Sequence, residues 1–310
     1  MTHESRSKVY IIKTADRKEA VARLMEESIP DNLAGLRVAI KANYNSADPF
    51  PASTHIDTLA AIVEVLKAGK AGSIMLAERS GMGVTGEVLQ ERGVLDLARR
   101  SGVDVIVLDD LRDRRAWVQH SASHWQRGYL FAPYFADADV TIQTCCLKAH
   151  RFGGHFTMSL KNSVGMVARY DPEDNYDYMG ELHSSPRQRE MIAEVNAAYS
   201  PTVVIMDAIK GFSRGGPEKG TLIEPGLMLA SSDRIAIDAC GVAILRSYGT
   251  TQEVANGDIF SLPQIRRAAE LGLGAKRPED IEIMPLNDNA RDAAKVIESE
   301  LKGAAVPITA

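Results

Sequence analysis

Residues 148–165 read KAHRFGGHFTMSLKNSVG and bring Lys148, His150, His155, Ser159, Lys161 and Asn162 into one short segment that holds no acid. A core element that buried those groups would have to hydrogen-bond every one of them. Glycine lets a backbone approach a ligand closely or adopt a positive φ, so Gly153-Gly154 marks a turn about which the two halves fold. Two ammonium groups, a hydroxyl and an amide suit a carboxylate or a phosphate. The segment is expected to be an anion cradle, with His150 or His155 beside it to move a proton. It is not a Walker motif, since G-x-x-x-x-G-K-[ST] is absent from the chain.

The lysine that opens this segment has a counterpart upstream. RVAIKAN ends in Lys41-Ala42-Asn43, and DVTIQTCCLKAH ends in Lys148-Ala149-His150. Residues i and i+2 of a strand share a face. Each pair therefore projects an ammonium and a hydrogen-bonding group together, at the carboxyl end where open α/β sheets bind ligands. PTVVIMDAIKG is expected to deliver Asp207 to an equivalent end. In this reading Lys41, Lys148 and Lys161 hold the anion and Asn43, Ser159 and Asn162 orient it, while Asp207 fixes a catalytic histidine or a metal. Polar strand ends that simply meet solvent are the plainer account.

A metal ion is the sharper alternative for His150 and His155. The turn between them would fold both rings toward one ion, with Cys146 or Asp207 as a third ligand. No CxxC or carboxylate-rich spacing completes such a set, which favours proton transfer over ligation. A second polar stretch, DAIKGFSRGGPEKGT over 207–221, is expected to be a mobile loop. After it, Ser231 or Ser232 caps a helix with Asp233 near its start. Asp238 lies deeper in that apolar helix and needs a partner, either a lysine of the site or solvent. Trp117, His120, His124 and Trp125 are expected to be packing or surface residues.

These groups need a scaffold, and the remaining sequence describes one. Short β-branched runs at 8–13, 37–42, 73–77, 104–108, 139–147, 202–206 and 281–284 alternate with amphipathic segments. That is the pattern of an α/β chain with a mostly parallel or mixed sheet and helices on both faces. Ser53 or Thr54 is expected to cap a helix ending at Gly69, Thr85 opens another, and PQIRRAAELGLG and NARDAAKVIESELK supply a helical extension over about 261–310. No linker divides the 310 residues, so one compact unit over 1–310 is expected, with a small lobe near 165–200.

Composition narrows the classes of function. A formal charge of -5, with no run of basic residues, gives no field for nucleic acid. No apolar stretch approaches the roughly 18 residues of a transmembrane helix, and the polar start leads straight into a strand, so a cytoplasmic location is expected. Cys145, Cys146 and Cys240 cannot all pair, and the adjacent two are expected to be small buried hydrophobes.

Several blocks together resemble the DUF362 family: VYIIKTADR, VAIKANYNSADPFPASTHIDTLAAIVEVLKAG, KAHRFGGHFTMSLKNSVG, DAIKGFSRGGPEKGT and MLASSDRIAIDA. They run in that family's order and cover most of residues 8–246. Many members resemble iron-sulfur proteins through a ferredoxin module, but with only three cysteines here no ferredoxin-type cluster is expected. A more distant likeness, of pattern alone, is to nickel-dependent lactate racemases.

Two readings of function follow. One is an enzyme that binds a small anionic metabolite and does proton-transfer or redox chemistry with histidine, lysine and aspartate, in the manner of an oxidoreductase or a racemase. The other is a non-catalytic protein that holds a cofactor and serves electron transfer, working with a redox partner protein. A homo-oligomer is compatible with either.

Overall fold

The seven apolar runs expected as strands all enter one sheet. The computed structural model describes residues 6–152 and 155–303. Its strands are β1 (Ser7–Lys13), β2 (Arg37–Lys41), β3 (Ser73–Glu78), β4 (Asp104–Val107), β5 (Val118–His120), β6 (Tyr129–Phe131), β7 (Val140–Lys148), β8 (Val203–Gly215), β9 (Gly220–Ile223), β10 (Leu227–Ser231) and β11 (Ile281–Pro285). The large sheet runs in the order β11-β1-β10-β8-β7-β2-β3-β4, with β9 paired to β8, while β5 and β6 pair separately. Strands β8, β7, β2, β3 and β4 are mutually parallel, and β10 is antiparallel to both of its neighbours.

All nine residues of β7 are buried. A strand covered on both faces reads as a continuous apolar run, because alternation sends each half of its side chains into a different core. Cys145 and Leu147 join the cluster built around the helix Arg234–Ser247, whereas Val140 and Ile142 join the one under the helices Arg17–Glu26 and Ile56–Ala68. A third cluster forms where β5 and β6 meet the helices Tyr178–Ser184 and Gln188–Val195, and it buries Trp117 and Trp125.

The connections give the sheet a switch point. From β2 the chain moves outward through β3 to β4, with its helices packed on the second cluster; from β7 it moves the other way to β8, through helices on the opposite face. The two routes leave a crevice at the carboxyl ends of β2 and β7, where open α/β sheets bind ligands.

Several expectations need correction. The stretch 207–215 is not a loop but the second half of β8, which turns at Gly216-Pro217 and pairs antiparallel with β9. Its glycines suit a turn, yet Gly211 serves the pairing of β8 with β7: a Cβ there would lie 2.6 Å from the Leu147 carbonyl oxygen. The C-terminal extension holds the expected helices, Pro263–Glu270 and Arg291–Leu301, and between them the strand expected at 281–284, which is β11 at the sheet edge beside β1. The helix Ile56–Ala68 is capped by His55 rather than Ser53 or Thr54. Those two hydroxyls are already engaged, Ser53 with the Ser46 carbonyl and Thr54 with Thr144 and the Asn43 N–H. Asp233 is itself the cap of the helix Arg234–Ser247. All three cysteines are free and buried, and among the described residues no helix is long and apolar enough to cross a membrane.

Candidate functional site

The crevice holds a cavity of about 180 Å³ whose lining includes Lys41, Asn43, Lys148, His150, Lys161 and Asn162. Each comes from a strand end or from the segment after β7. Lys41 and Lys148, the last residues of β2 and β7, are both 1% exposed. Past Lys148 the chain doubles back: His150 N–H donates to the His155 carbonyl (2.7 Å), and Thr157 N–H donates to the Lys148 carbonyl (2.9 Å). This return carries Lys161 and Asn162, in the short helix Ser159–Asn162, back over the two strand ends. The Gly153-Gly154 turn lies outside the described residues.

Hydrogen bonds tie the polar groups into one network. Asn162 Oδ1 accepts from Lys41 Nζ (3.2 Å) and Asn43 Nδ2 (3.3 Å), while its Nδ2 donates to the Thr144 carbonyl (2.8 Å). Lys148 Nζ donates to Asn43 Oδ1 (2.7 Å) and to the Ala52 carbonyl. Lys41 Nζ donates to Glu78 Oε1 (2.5 Å) and the Ala42 carbonyl (2.6 Å). Apart from the others, Lys161 Nζ sits 2.6 Å from His150 Nε2. The other ring nitrogen of His150 faces the Phe152 main chain, 3.2 Å from N and 3.4 Å from O.

The charges do not cancel. Lys41, Arg79, Lys148, Lys161 and Arg169 line the cavity against one carboxylate, Glu78. Arg79 is committed to the carbonyls of Val164 and Val167, and Arg169 to Asp109. Burial lowers the pKa of Lys148, and burial reinforced by the nearby cations Arg189 and Lys148 holds that of Lys161 well below the ordinary lysine value. Burial, with Lys161 next in effect, pushes the His150 imidazole down to about 2, so it stays neutral at working pH. Two buried polar atoms of lining residues, Glu78 Oε2 and the Tyr44 hydroxyl, have no hydrogen-bond partner among the described residues. Orphaned buried groups are uncommon in a finished core and ordinary in a site that takes a polar ligand.

Three of the expected site residues lie elsewhere. Asp207 points to the helix side of the sheet, where Arg17 Nε (2.7 Å) and Thr58 Oγ1 (2.9 Å) hold its carboxylate. Its side chain ties β8 to two helices and does not line the cavity. Ser159 is buried, with its hydroxyl on Gln143 Oε1 (2.5 Å). His155 meets His150 through the backbone, its ring is half-buried, and burial with Arg189 nearby lowers its pKa to about 4. With Cys146 buried in the sheet and Asp207 paired to Arg17, the third ligand considered for a metal at His150 and His155 is not supplied. Among the described residues no group of three or more His, Cys, Asp or Glu side chains is placed to hold an ion.

Other lining residues escaped the sequence reading. Glu78 ends β3 as Lys41 ends β2, so the same strand-end logic applied one strand further along would have found it. Gly81-Met82-Gly83-Val84-Thr85-Gly86 has G-x-G-x-x-G spacing between β3 and the helix Thr85–Glu91. Here it builds a wall. A Cβ on Gly81 would lie 2.3 Å from Asn45 Oδ1, and Met82 N–H donates to the Asn45 carbonyl (2.8 Å), so the loop lies directly on the segment that follows β2. Asp238, expected beside a site lysine or solvent, is fully buried and accepts from the N–H groups of Ser159 (2.8 Å) and Leu160 (3.0 Å). It anchors the helix that presents Lys161.

A family model described as a domain of unknown function (DUF362) matches residues 38–243. The thylakoid-associated protein sll1697 of Synechocystis sp. is 26% identical over 185 residues, which is 60% of this chain and 54% of that protein. The chain thus spans about half the length of the curated relative it matches. Among solved structures, the lactate racemase apoprotein from Thermoanaerobacterium thermosaccharolyticum aligns with a TM-score of 0.44 at 16% identity, covering 77% of this chain and 57% of that one.

Proposed function

The chain belongs to the DUF362 family, whose name assigns no chemistry, and from the geometry of the site we propose that it is an enzyme acting on a small anionic metabolite, a carboxylate or a phosphate. The observation that carries this reading is the pair of cavity lysines without a carboxylate partner: Lys148, held by two oxygen acceptors, and Lys161, held by His150. An anion entering the cavity would meet both, and a charge-assisted contact with the Lys148 ammonium in a partly dry site is worth more than its counterpart in water. The catalytic step in this reading is a proton transfer through the His150–Lys161 pair. Within the pair the proton acceptor is the Lys161 amine, whose pKa burial and the neighbouring cations lower, while the neutral imidazole, too weak a base to hold a proton, positions it.

Thermal melts against inorganic phosphate and a panel of small carboxylates test the binding. A ligand that binds only the folded state raises the melting temperature by mass action. At least one anion is expected to raise that of the wild type, and Lys148→Met to abolish the response while remaining folded by circular dichroism. A wild type indifferent to every anion, or a variant that responds undiminished, rejects the reading.

A further inference from the structure

Three lysines reach the cavity, and they differ in what they touch. Lys41 is ion-paired with Glu78 and is spent. Lys148 donates to the Asn43 side chain and the Ala52 carbonyl, which leaves one N–H of its ammonium for a ligand. Lys161 sits against a nitrogen, His150 Nε2 at 2.6 Å, and the charged groups that act on it are Arg189 and Lys148, both cations. A lysine desolvated and crowded by like charge gives up its proton, and a neutral amine is a nucleophile toward carbonyl carbon.

We propose, resting on the anion-binding reading above, that Lys161 forms a Schiff base with a small 2-oxo acid whose carboxylate is met by Lys148. The Lys161 lone pair adds to the carbonyl carbon, forming the C–N bond while the carbonyl π electrons move to oxygen. A proton of the new ammonium nitrogen passes to that oxygen, giving a carbinolamine beside the neutral His150 ring. The nitrogen lone pair then forms the C=N bond as the C–O bond breaks, and the hydroxyl leaves as water with the remaining N–H proton, so one water is released per adduct with no change of oxidation state. The imine then withdraws electrons from C3, the carbon beyond it, which eases loss of a proton there.

The size of the cavity limits the substrate. At about 180 Å³ it slightly exceeds the roughly 150 Å³ that accepts benzene in an engineered core, so an acid of about six to eight non-hydrogen atoms fits. Glu78 Oε2 and the Tyr44 hydroxyl, both without hydrogen-bond partners among the described residues, offer polar contacts for the hydroxyl of the carbinolamine.

Borohydride trapping tests the proposal on the intact chain. The protein is incubated with pyruvate or 2-oxobutanoate, reduced with sodium borohydride, and examined by intact mass and peptide mapping. One reduced adduct per chain on Lys161 is expected, absent when phosphate replaces the oxo acid and absent in Lys161→Arg. The mapping is done on the wild type, so it stands even if the variant folds poorly. Oxo-acid binding in calorimetry without a trapped adduct, or an adduct spread over surface lysines, overturns the covalent step and leaves the anion-binding reading intact. Absence of binding by any oxo acid, with phosphate still bound, overturns the substrate class. Absence of binding by every anion sinks both readings together.

Discussion

Lys41 Nζ and Glu78 Oε1 meet 2.5 Å apart at the ends of two adjacent parallel strands, with both side chains almost wholly removed from solvent. Removing one partner of such a pair strands the other charge in the interior, at a cost of about 3–5 kcal/mol, whereas replacing both by apolar groups is often close to neutral. Glu78→Gln is therefore expected to lose about that much stability in urea unfolding. Lys41→Met combined with Glu78→Leu should recover most of it. A Glu78→Gln protein as stable as the wild type would mean that Lys41 is already neutral in the fold.

Lys161 makes the opposite prediction about stability. Its pKa in the fold lies below the ordinary lysine value because of burial first and of Arg189 and Lys148 next. The unfolded chain therefore holds a proton that the folded one gives up, and stability rises with pH until the unfolded lysine also titrates near pH 10. Lys161→Met removes that penalty. The variant is expected to melt above the wild type at pH 7, with the gap closing toward pH 10, while binding of an anion that contacts the Lys161 amine weakens by about 0.5–1.5 kcal/mol. A variant that melts lower and binds anions as before would make the lysine a structural residue.

Asp207 separates a structural carboxylate from a catalytic one. Arg17 and Thr58 hold one of its oxygens, and Arg17 also lies over the Phe50 ring at 4.6 Å, so the group fastens two helices to β8. Asp207→Ala is expected to cost about 3–5 kcal/mol by leaving Arg17 without its partner. Anion-induced stabilisation, measured as the shift on adding ligand, should be unchanged. Loss of that shift in a variant that still folds would return Asp207 to the site.

What the sequence made legible follows from what alternation can show. Lys41, Asn43, Lys148 and His150 sit at strand ends, where a period of two assigns a face without any knowledge of the tertiary structure, and these residues line one cavity. Alternation does not say where a strand stops or which face receives which helix: Asp207, expected at a strand end in the cleft, lies in the middle of β8 with its side chain turned to the helix side. β10 reads LMLAS and is buried throughout. A short apolar run of that kind cannot be told by periodicity from the start of the apolar helix that follows, and no strand is expected there from pattern alone. Asp238 was visible as a carboxylate out of place, but its partners are backbone N–H groups some 80 positions away, which no local pattern reveals.

That carboxylate provides a test with a definite sign. Burial outweighs the two backbone N–H groups that Asp238 accepts and pushes its carboxyl up to about 7, against an ordinary value near 4. Between those values the folded chain keeps a proton that the unfolded chain has lost, so unfolding free energy falls as pH rises from about 4 to 7. The stabilisation is full at the acid end of the window and gone above it, at about 1.4 kcal/mol for each pH unit crossed. Asp238→Asn does not titrate and has one acceptor where the carboxylate has two, so its own cost is independent of pH. Urea midpoints at pH 5 and pH 8 should therefore show the wild type losing more stability than the variant, and the difference between the two proteins narrowing at pH 8. Parallel behaviour of wild type and Asp238→Asn across that range would mean that the two N–H groups keep the carboxylate ionised throughout, and that the helix presenting Lys161 is anchored by a fixed negative charge.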